Sequence, residues 1–240
     1  MRGMIFDQSE YDVRCEWGER GVSILAPISD VVIVVDVLSF STALDIATGR
    51  NALVHPYRWH DETVHEFAAS VGAEVAGKSN SNGHSLSPSS LVDLPFGTRL
   101  VLPSPNGSTL SLLAGPTPIL AGCLRNCRAV AESAMKKGQK ISVIPAGEKW
   151  EDGSLRPCLE DLLGAGAVIS QLRGRTSPEA AAAVGAFANA APNMVERLAG
   201  CGSGKEKIHR GEENDIKLAA GINVSTCVPV LHNGAFEREA

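Results

Sequence analysis

Side chains able to hold cations and anions recur in this chain where its apolar runs stop. Asp36 closes one such run and is followed by Ser39, Ser41 and Thr42. Asn106, Gly107 and Ser108 follow a second run, Arg125 and Asn126 a third, and Glu148 a fourth. Carboxylate oxygens are ligands for hard divalent cations, while hydroxyl, amide and guanidinium groups donate to anions. The set therefore suits a metal ion holding a small phosphorylated acid. Plainer readings stand beside this one. Asp36 can simply cap a helix, Ser41 and Thr42 can cap it or offer hydroxyls to an anion, and Asn106-Gly107 can be a tight turn. Glu160 and Asp161 open a helix, where acids complement its dipole, although either can join the set.

The elements that must position these groups follow from periodicity. Residues 31–37 are an almost unbroken β-branched run, the pattern of a strand covered on both faces, and residues 43–47 continue into a helix. Residues 52–57, 99–102, 119–122 and 141–144 read as further strands, with helices at 61–71 and 128–136 between them. Such alternation predicts an α/β fold. If the sheet is parallel here, the four polar strand ends lie along one edge, where open α/β sheets bind ligands. Residues 23–25 read as a short strand, 157–169 and 177–198 as helices, 212–220 as a helix and 224–231 as a last strand. Residues 201–211 read as a glycine-bounded basic loop, a solvated surface or else a segment that folds Lys205, His209 or Arg210 over an anionic substrate.

Residues 72–79 match the G-x-x-x-x-G-K-[ST] pattern of a phosphate-cradling loop. That loop joins a strand to a helix. Here the match follows a helix pattern and runs into a Ser/Asn-rich stretch, so a nucleotide enzyme is the lesser expectation, and Lys78 is left as a lone cation beside the loop.

The chain has 240 residues and a formal net charge of -5, which gives no support to nucleic acid or an anionic membrane as partner. Its six cysteines form no C-x-x-C pair and read as reduced thiols. The start lacks the apolar core of a secretory signal, and no apolar run is long enough to cross a bilayer, so a cytoplasmic protein is expected. One α/β domain over residues 1–240, with room for two lobes, fits this length. A homodimer is the default assembly, because two-fold dimers are the commonest soluble oligomers.

In their order the polar segments resemble the ComB-type 2-phosphosulfolactate phosphatases. The matching pieces are Asp36-Val37-Leu38-Ser39-Phe40-Ser41-Thr42, Pro105-Asn106-Gly107-Ser108, Gly122 to Asn126, Ala146-Gly147-Glu148, Glu160-Asp161 with Ala165-Gly166-Ala167, Gly211 to Ile216, and Val228-Pro229-Val230. They span nearly the whole chain. The resemblance implies a three-layer α/β/α fold with a mostly parallel or mixed central sheet. It also implies a Mg²⁺-dependent phosphatase that converts 2-phospho-3-sulfolactate to 3-sulfolactate, a step of coenzyme M synthesis in methanogens; similar chains occur in bacteria that make no such cofactor.

On that basis Asp36 and Glu148 are the expected metal ligands and, with Asp161, the expected catalytic acids. Ser41, Thr42, Lys78, Asn106, Gly107, Ser108, Arg125 and Asn126 are the expected substrate contacts. Water is the favoured nucleophile over a carboxylate, because Leu38 stands where aspartyl-phosphate phosphatases carry a second aspartate. The chain departs from the family pattern at Ser39, where arginine is usual, and at residues 78–79, where Glu-Arg is usual. A hydroxyl does not replace a bidentate guanidinium, so Arg125 or Lys78 is the expected compensation. The rival reading is a diverged, non-catalytic protein that binds a small phosphate or sulfonate acid.

Overall fold

The β-branched run at residues 31–35 is buried along its whole length and divides the interior in two. Side chains alternate across a strand, so Val31, Ile33 and Val35 enter one apolar cluster and Val32 and Val34 the other. The computed structural model describes residues 5–59, 61–77 and 83–240. Its strands are β1 (Val13–Cys15), β2 (Val31–Val35), β3 (Leu53–Tyr57), β4 (Glu74–Val75), β5 (Arg99–Pro103), β6 (Ile119–Gly122), β7 (Ile141–Pro145), β8 (Glu148–Lys149), β9 (Leu155–Arg156), β10 (Pro229–His232) and β11 (Ala235–Arg238). The helices are α1 (Gly18–Leu25), α2 (Phe40–Gly49), α3 (Thr63–Val71), α4 (Gly107–Leu113), α5 (Cys127–Lys137), α6 (Leu159–Ile169), α7 (Pro178–Ala190), α8 (Met194–Gly200), α9 (Gly202–His209) and α10 (Glu213–Ala219).

Nine strands form one mixed sheet in the order β1-β7-β2-β6-β10-β11-β3-β5-β4, with helices on both faces in a three-layer α/β/α arrangement; β8 and β9 make a separate hairpin. β1, β7, β2 and β6 are parallel to one another, as are β3, β5 and β4. The β10–β11 hairpin joins these halves through antiparallel pairings to β6 and β3, so the halves run in opposite senses. One core cluster packs α5, α6 and α7 against the first half. The other gathers α1, α2 and α4 with residues from both halves: Val32 and Val34 of β2, Leu100 and Leu102 of β5.

This corrects the expectation that four polar strand ends share one parallel edge. Those of β2, β6 and β7 do, whereas β5 belongs to the reversed half. Five strand-to-strand steps separate β2 from β5. The segment that follows β5 nevertheless reaches the end of β2, where Gly107 N–H donates to Asp36 Oδ2 at 3.0 Å.

Local expectations fail for identifiable reasons. Residues 23–25 end α1, because Val22 and Leu25 face the core with helical spacing. The helix expected over 177–198 is interrupted by a 3₁₀ turn at Ala191–Asn193, where Pro192 lacks the N–H that an α-helix needs. The loop expected over 201–211 is α9, its N-terminus capped by Cys201 Sγ, which accepts from Gly204 N–H at 3.4 Å. Gly204 is read wrongly as a breaker. A Cβ there would overlap the carbonyl oxygen of Leu198, so its role is close approach of α9 to α8. The last strand is also shorter than expected and returns as β11. No helix among the described residues is long and apolar enough to cross a membrane. All six cysteines are buried and free.

Candidate active site

At the end of β2 the chain turns through Asp36 into α2. Both oxygens of this buried carboxylate accept backbone N–H bonds: Oδ1 from Phe40 at 3.3 Å and Oδ2 from Gly107 at 3.0 Å. The first is the helix cap legible in the sequence. The second crosses to the loop after β5 and ties the two halves of the sheet together. Only glycine permits that crossing, since a Cβ on residue 107 would lie 2.8 Å from Asp36 Oδ2 and closer still to the Phe40 ring.

Asp161, buried in the first turn of α6, performs a second tie. Its Oδ1 accepts from Val37 N–H and its Oδ2 from Gly147 N–H, each at 2.8 Å, which pins the segment after β2 to the segment after β7. Glu148 follows immediately. Its Oε1 accepts from Asn106 Nδ2 and from Lys149 N–H, both at 2.9 Å. Burial pushes the Asp36 carboxyl up to about 7; the amide of Phe40 opposes this, the charge of Glu148 adds to it, and the amide of Gly107 opposes it again. Burial pushes Asp161 well above the usual carboxylate range, with the charges of Asp36 and Glu160 adding to it. Carboxyl groups are thus concentrated where no side-chain cation among the described residues is bonded to them, which is why ionising them is costly.

Asp36, Asn106 and Glu148 line a cleft of about 300 Å³. Its opposite wall is one face of α9, formed by Ser203, Glu206, Lys207 and Arg210 at i, i+3, i+4 and i+7. Ser39 and Ser104 also line it. Lys207 Nζ lies 2.9 Å from both Glu212 Oε2 and Asp215 Oδ2. Asp215 in turn accepts from Ser87 Oγ at 2.7 Å and from Ser89 N–H and Oγ at 2.9 and 2.6 Å. Arg210 pairs with Glu206 on the outer, half-exposed side of the helix.

Of the expected substrate contacts, Asn106 reaches the cleft. Ser41, Thr42 and Ser108 are fully buried and bond to the backbone: Ser41 Oγ accepts from Asp36 N–H at 2.8 Å, Thr42 Oγ1 donates to Val37 O at 2.8 Å, and Ser108 Oγ donates to Leu102 O at 3.2 Å. Asn126, also fully buried, accepts from Cys123 N–H at 2.9 Å and donates to Cys227 O at 3.1 Å. Arg125 is engaged with Asp45 at 2.7 Å and with Leu218 O at 3.0 Å. The Gly107 amide is spent on Asp36, and Lys78 lies outside the described residues. Arg210, anticipated as one way to cover an anion, does line the cleft, while Lys205 and His209 are not part of it. Lys207, Ser203 and Ser104 escape a sequence reading. For the first two the signal was the helical spacing within 203–210, hidden by Gly202 and Gly204.

The sequence profile described as 2-phosphosulpholactate phosphatase matches residues 24–234, which contain every element of this cleft. The chain belongs to this family. A 2-phosphosulfolactate phosphatase of Methanothermobacter thermautotrophicus is 28% identical over 223 residues, covering 87% of this chain and 90% of that one. A probable 2-phosphosulfolactate phosphatase of Thermotoga maritima is 28% identical over 225 residues, covering 89% and 96%. A third relative with the same description, from Carboxydothermus hydrogenoformans, is 30% identical over 139 residues, covering 57% of this chain and 56% of its own. Membership makes the chain a phosphoric monoester hydrolase.

The residues present fit a hard divalent cation of the Mg²⁺ type. Among the described residues no group of three His, Cys, Asp or Glu side chains converges, so a cage made wholly of protein is not built. Mg²⁺ does not require one, since it keeps several waters and is held by one or two carboxylates together with substrate phosphate. Glu148 raises the cost of ionising Asp36, with which it shares the cleft. The buried Ser39 Oγ beside them has no hydrogen-bond partner among the described residues.

Proposed function

We propose that the chain hydrolyses the phosphate ester of a small anionic acid, of which 2-phospho-3-sulfolactate is the type, to inorganic phosphate and the free hydroxy acid. One observation carries this: Asp36, Glu148 and Asn106 meet Lys207 and Arg210 across a single cleft. One wall has oxygen ligands for a cation, and the other brings Lys207 and Arg210, the latter paired with Glu206, to bear on an anion. Asp36 and Glu148 would hold Mg²⁺, which when bound supplies positive charge to the phosphoryl oxygens.

The chain's own residues do the rest. Arg210 presents a planar fork that matches phosphate or sulfonate oxygens, and Lys207, held by Asp215 and Glu212, acts as a fixed point charge. Ser39, Ser104 and Ser203 offer hydroxyls. Asn106 orients Glu148, which takes the proton from a water attacking phosphorus. Phosphorus–ester oxygen cleavage leaves its electron pair on the ester oxygen, Lys207 and Arg210 neutralise the developing charge, and the proton taken by Glu148 passes to that oxygen so that the hydroxy acid departs. Water is the nucleophile in this reading, because both Asp36 oxygens already accept amide bonds that hold the carboxylate in place.

The test is phosphate release from 2-phospho-3-sulfolactate and 2-phospholactate, with Mg²⁺ and then with a chelator. Metal-dependent release is expected, with the sulfonated ester preferred, and Asp36→Asn should lower kcat by about a thousandfold or more. Binding of these acids with no release under either condition would replace this reading with a non-catalytic binder. Near-normal turnover by the Asp36→Asn protein would overturn the site.

A further inference from the structure

A second cavity, of about 420 Å³, adjoins the cleft. The two share Pro105, Asn106 and Glu148, so the Asn106–Glu148 hydrogen bond forms the partition between them. Their linings differ in kind. The cleft is lined mainly by acids, bases and hydroxyls, with Leu38 and Leu86 at its side, whereas the second cavity is walled by Trp17 just before α1, Leu110 of α4 and Leu155 of the β8–β9 hairpin, with Glu19, Arg20 and Lys149 also in its lining. Lys149 is occupied by Glu19 at 3.0 Å, both of them half exposed. Leu155 is 42% exposed, an apolar side chain held over open space by a hairpin that lies outside the main sheet.

We propose that this cavity is the subsite for the carbon end of the ester, and that the substrates of this chain are phosphorylated hydroxy acids with an apolar, preferably aromatic, group beyond the ester carbon. The inference rests on the phosphatase reading above and adds its substrate class. An ester seated at Asp36 and Glu148 has its phosphate and acid groups against α9. The direction left for its carbon substituent is past Asn106 and Glu148, into the Trp17–Leu110–Leu155 space. A compact three-carbon dianion is accommodated by the cleft alone, near the small end of the roughly 300–1,000 Å³ range of ligand pockets. Such a substrate would leave the apolar walls in contact with water. A phenyl or branched alkyl substituent covers them and gains by the transfer.

The test compares kcat/KM of the full chain for 2-phospho-3-phenyllactate and for 2-phospholactate, both with Mg²⁺. The aromatic ester should be preferred by about tenfold or more, the size of effect an apolar pocket gives. Ser23→Trp, at an exposed α1 position on this cavity, fills the space without touching the core and should lower that preference by about tenfold. Leu155→Glu on the hairpin should lower it as well, and 3-phenyllactate should inhibit the native chain more strongly than lactate. Equal use of both esters, or a preference that survives both substitutions, overturns the subsite while leaving the phosphatase reading intact. No release from either ester, nor from the sulfonated one, overturns the phosphatase reading and the subsite with it.

Discussion

The two walls of the cleft are built in opposite ways. Asp36 on the acidic wall, and Asp161 behind the cleft lining, sit in the buried interior with every carboxylate oxygen bonded to a backbone amide, so their positions are fixed by the sheet itself. Lys207 sits on a helix of eight residues and Arg210 caps its C-terminus, and the helix is anchored through side chains: Lys207 to Asp215 and Glu212, and Asp215 to Ser87 and Ser89. The acidic wall is therefore pre-organised, and the basic wall depends on a network that can yield. Substitutions in the first should act on kcat and on folding together, and those in the second mainly on KM.

The largest combined effect on folding and turnover is expected at Gly107. Gly107→Ala drives a methyl group into the Phe40 ring and against Asp36 Oδ2, and so displaces the backbone N–H that among the described residues alone ties the Asp36 carboxylate to the reversed half of the sheet. Overpacking of this kind costs about 1–3 kcal/mol or more. The protein should melt several degrees lower, and kcat should fall by about a hundredfold or more even below the melting transition. An alanine variant with native kcat would show that Asp36 does not need its second tie.

The walls also titrate in opposite senses, which separates them without mutation. Burial raises the Asp36 carboxyl from near 4 in the unfolded chain to about 7. Its favourable contribution is complete below about pH 4 and is lost as pH rises through about 7, because the native state resists ionisation. Asp215 behaves the other way. Burial raises it, but Lys207 and the Ser89 bonds outweigh burial, and the net shift is downward. Its contribution is present above about pH 4 and lost as pH falls below that value. With a chelator present, the melting temperature should decline between pH 5 and pH 8. Added Mg²⁺ should restore several degrees at pH 8 and little at pH 5, where the proton competes for Asp36. Equal Mg²⁺ shifts at the two pH values would detach the cation from this carboxylate.

The acidic wall was legible in the sequence and the basic wall largely was not, and the reason is physical. Asp36 interrupts a β-branched run, and Asn106-Gly107 and Glu148 each follow another apolar strand, so strand periodicity marks where they emerge. Nothing local reveals that β5 belongs to a reversed half of the sheet, because that depends on where the C-terminal β10–β11 hairpin inserts. Arg125 and Asn126 were misleading for a related reason: they stand at a strand end like the others, but their partners, Asp45, Leu218 and Cys227, come from distant parts of the chain. Arg210 was anticipated only as part of a covering loop, and Lys207 was obscured because Gly202 and Gly204 read as loop, whereas Gly204 permits tight packing of α9.

The two arginines give the finest separation of the walls. Arg210 is about half exposed and lines the cleft, so Arg210→Ala removes one charge from the basic wall and leaves the fold alone. KM for a phosphorylated acid should rise by about tenfold with kcat within a few-fold, and higher salt should shrink the difference, since an exposed charge is screened. Arg125 pairs with an Asp45 carboxylate that is almost fully buried, so Arg125→Ala leaves an uncompensated group in the core and should cost roughly 3 kcal/mol of stability. At a temperature where that variant remains folded its KM should stay within twofold of the native value. A large rise in KM for Arg125→Ala, with none for Arg210→Ala, would move the anion site from α9 to the end of β6.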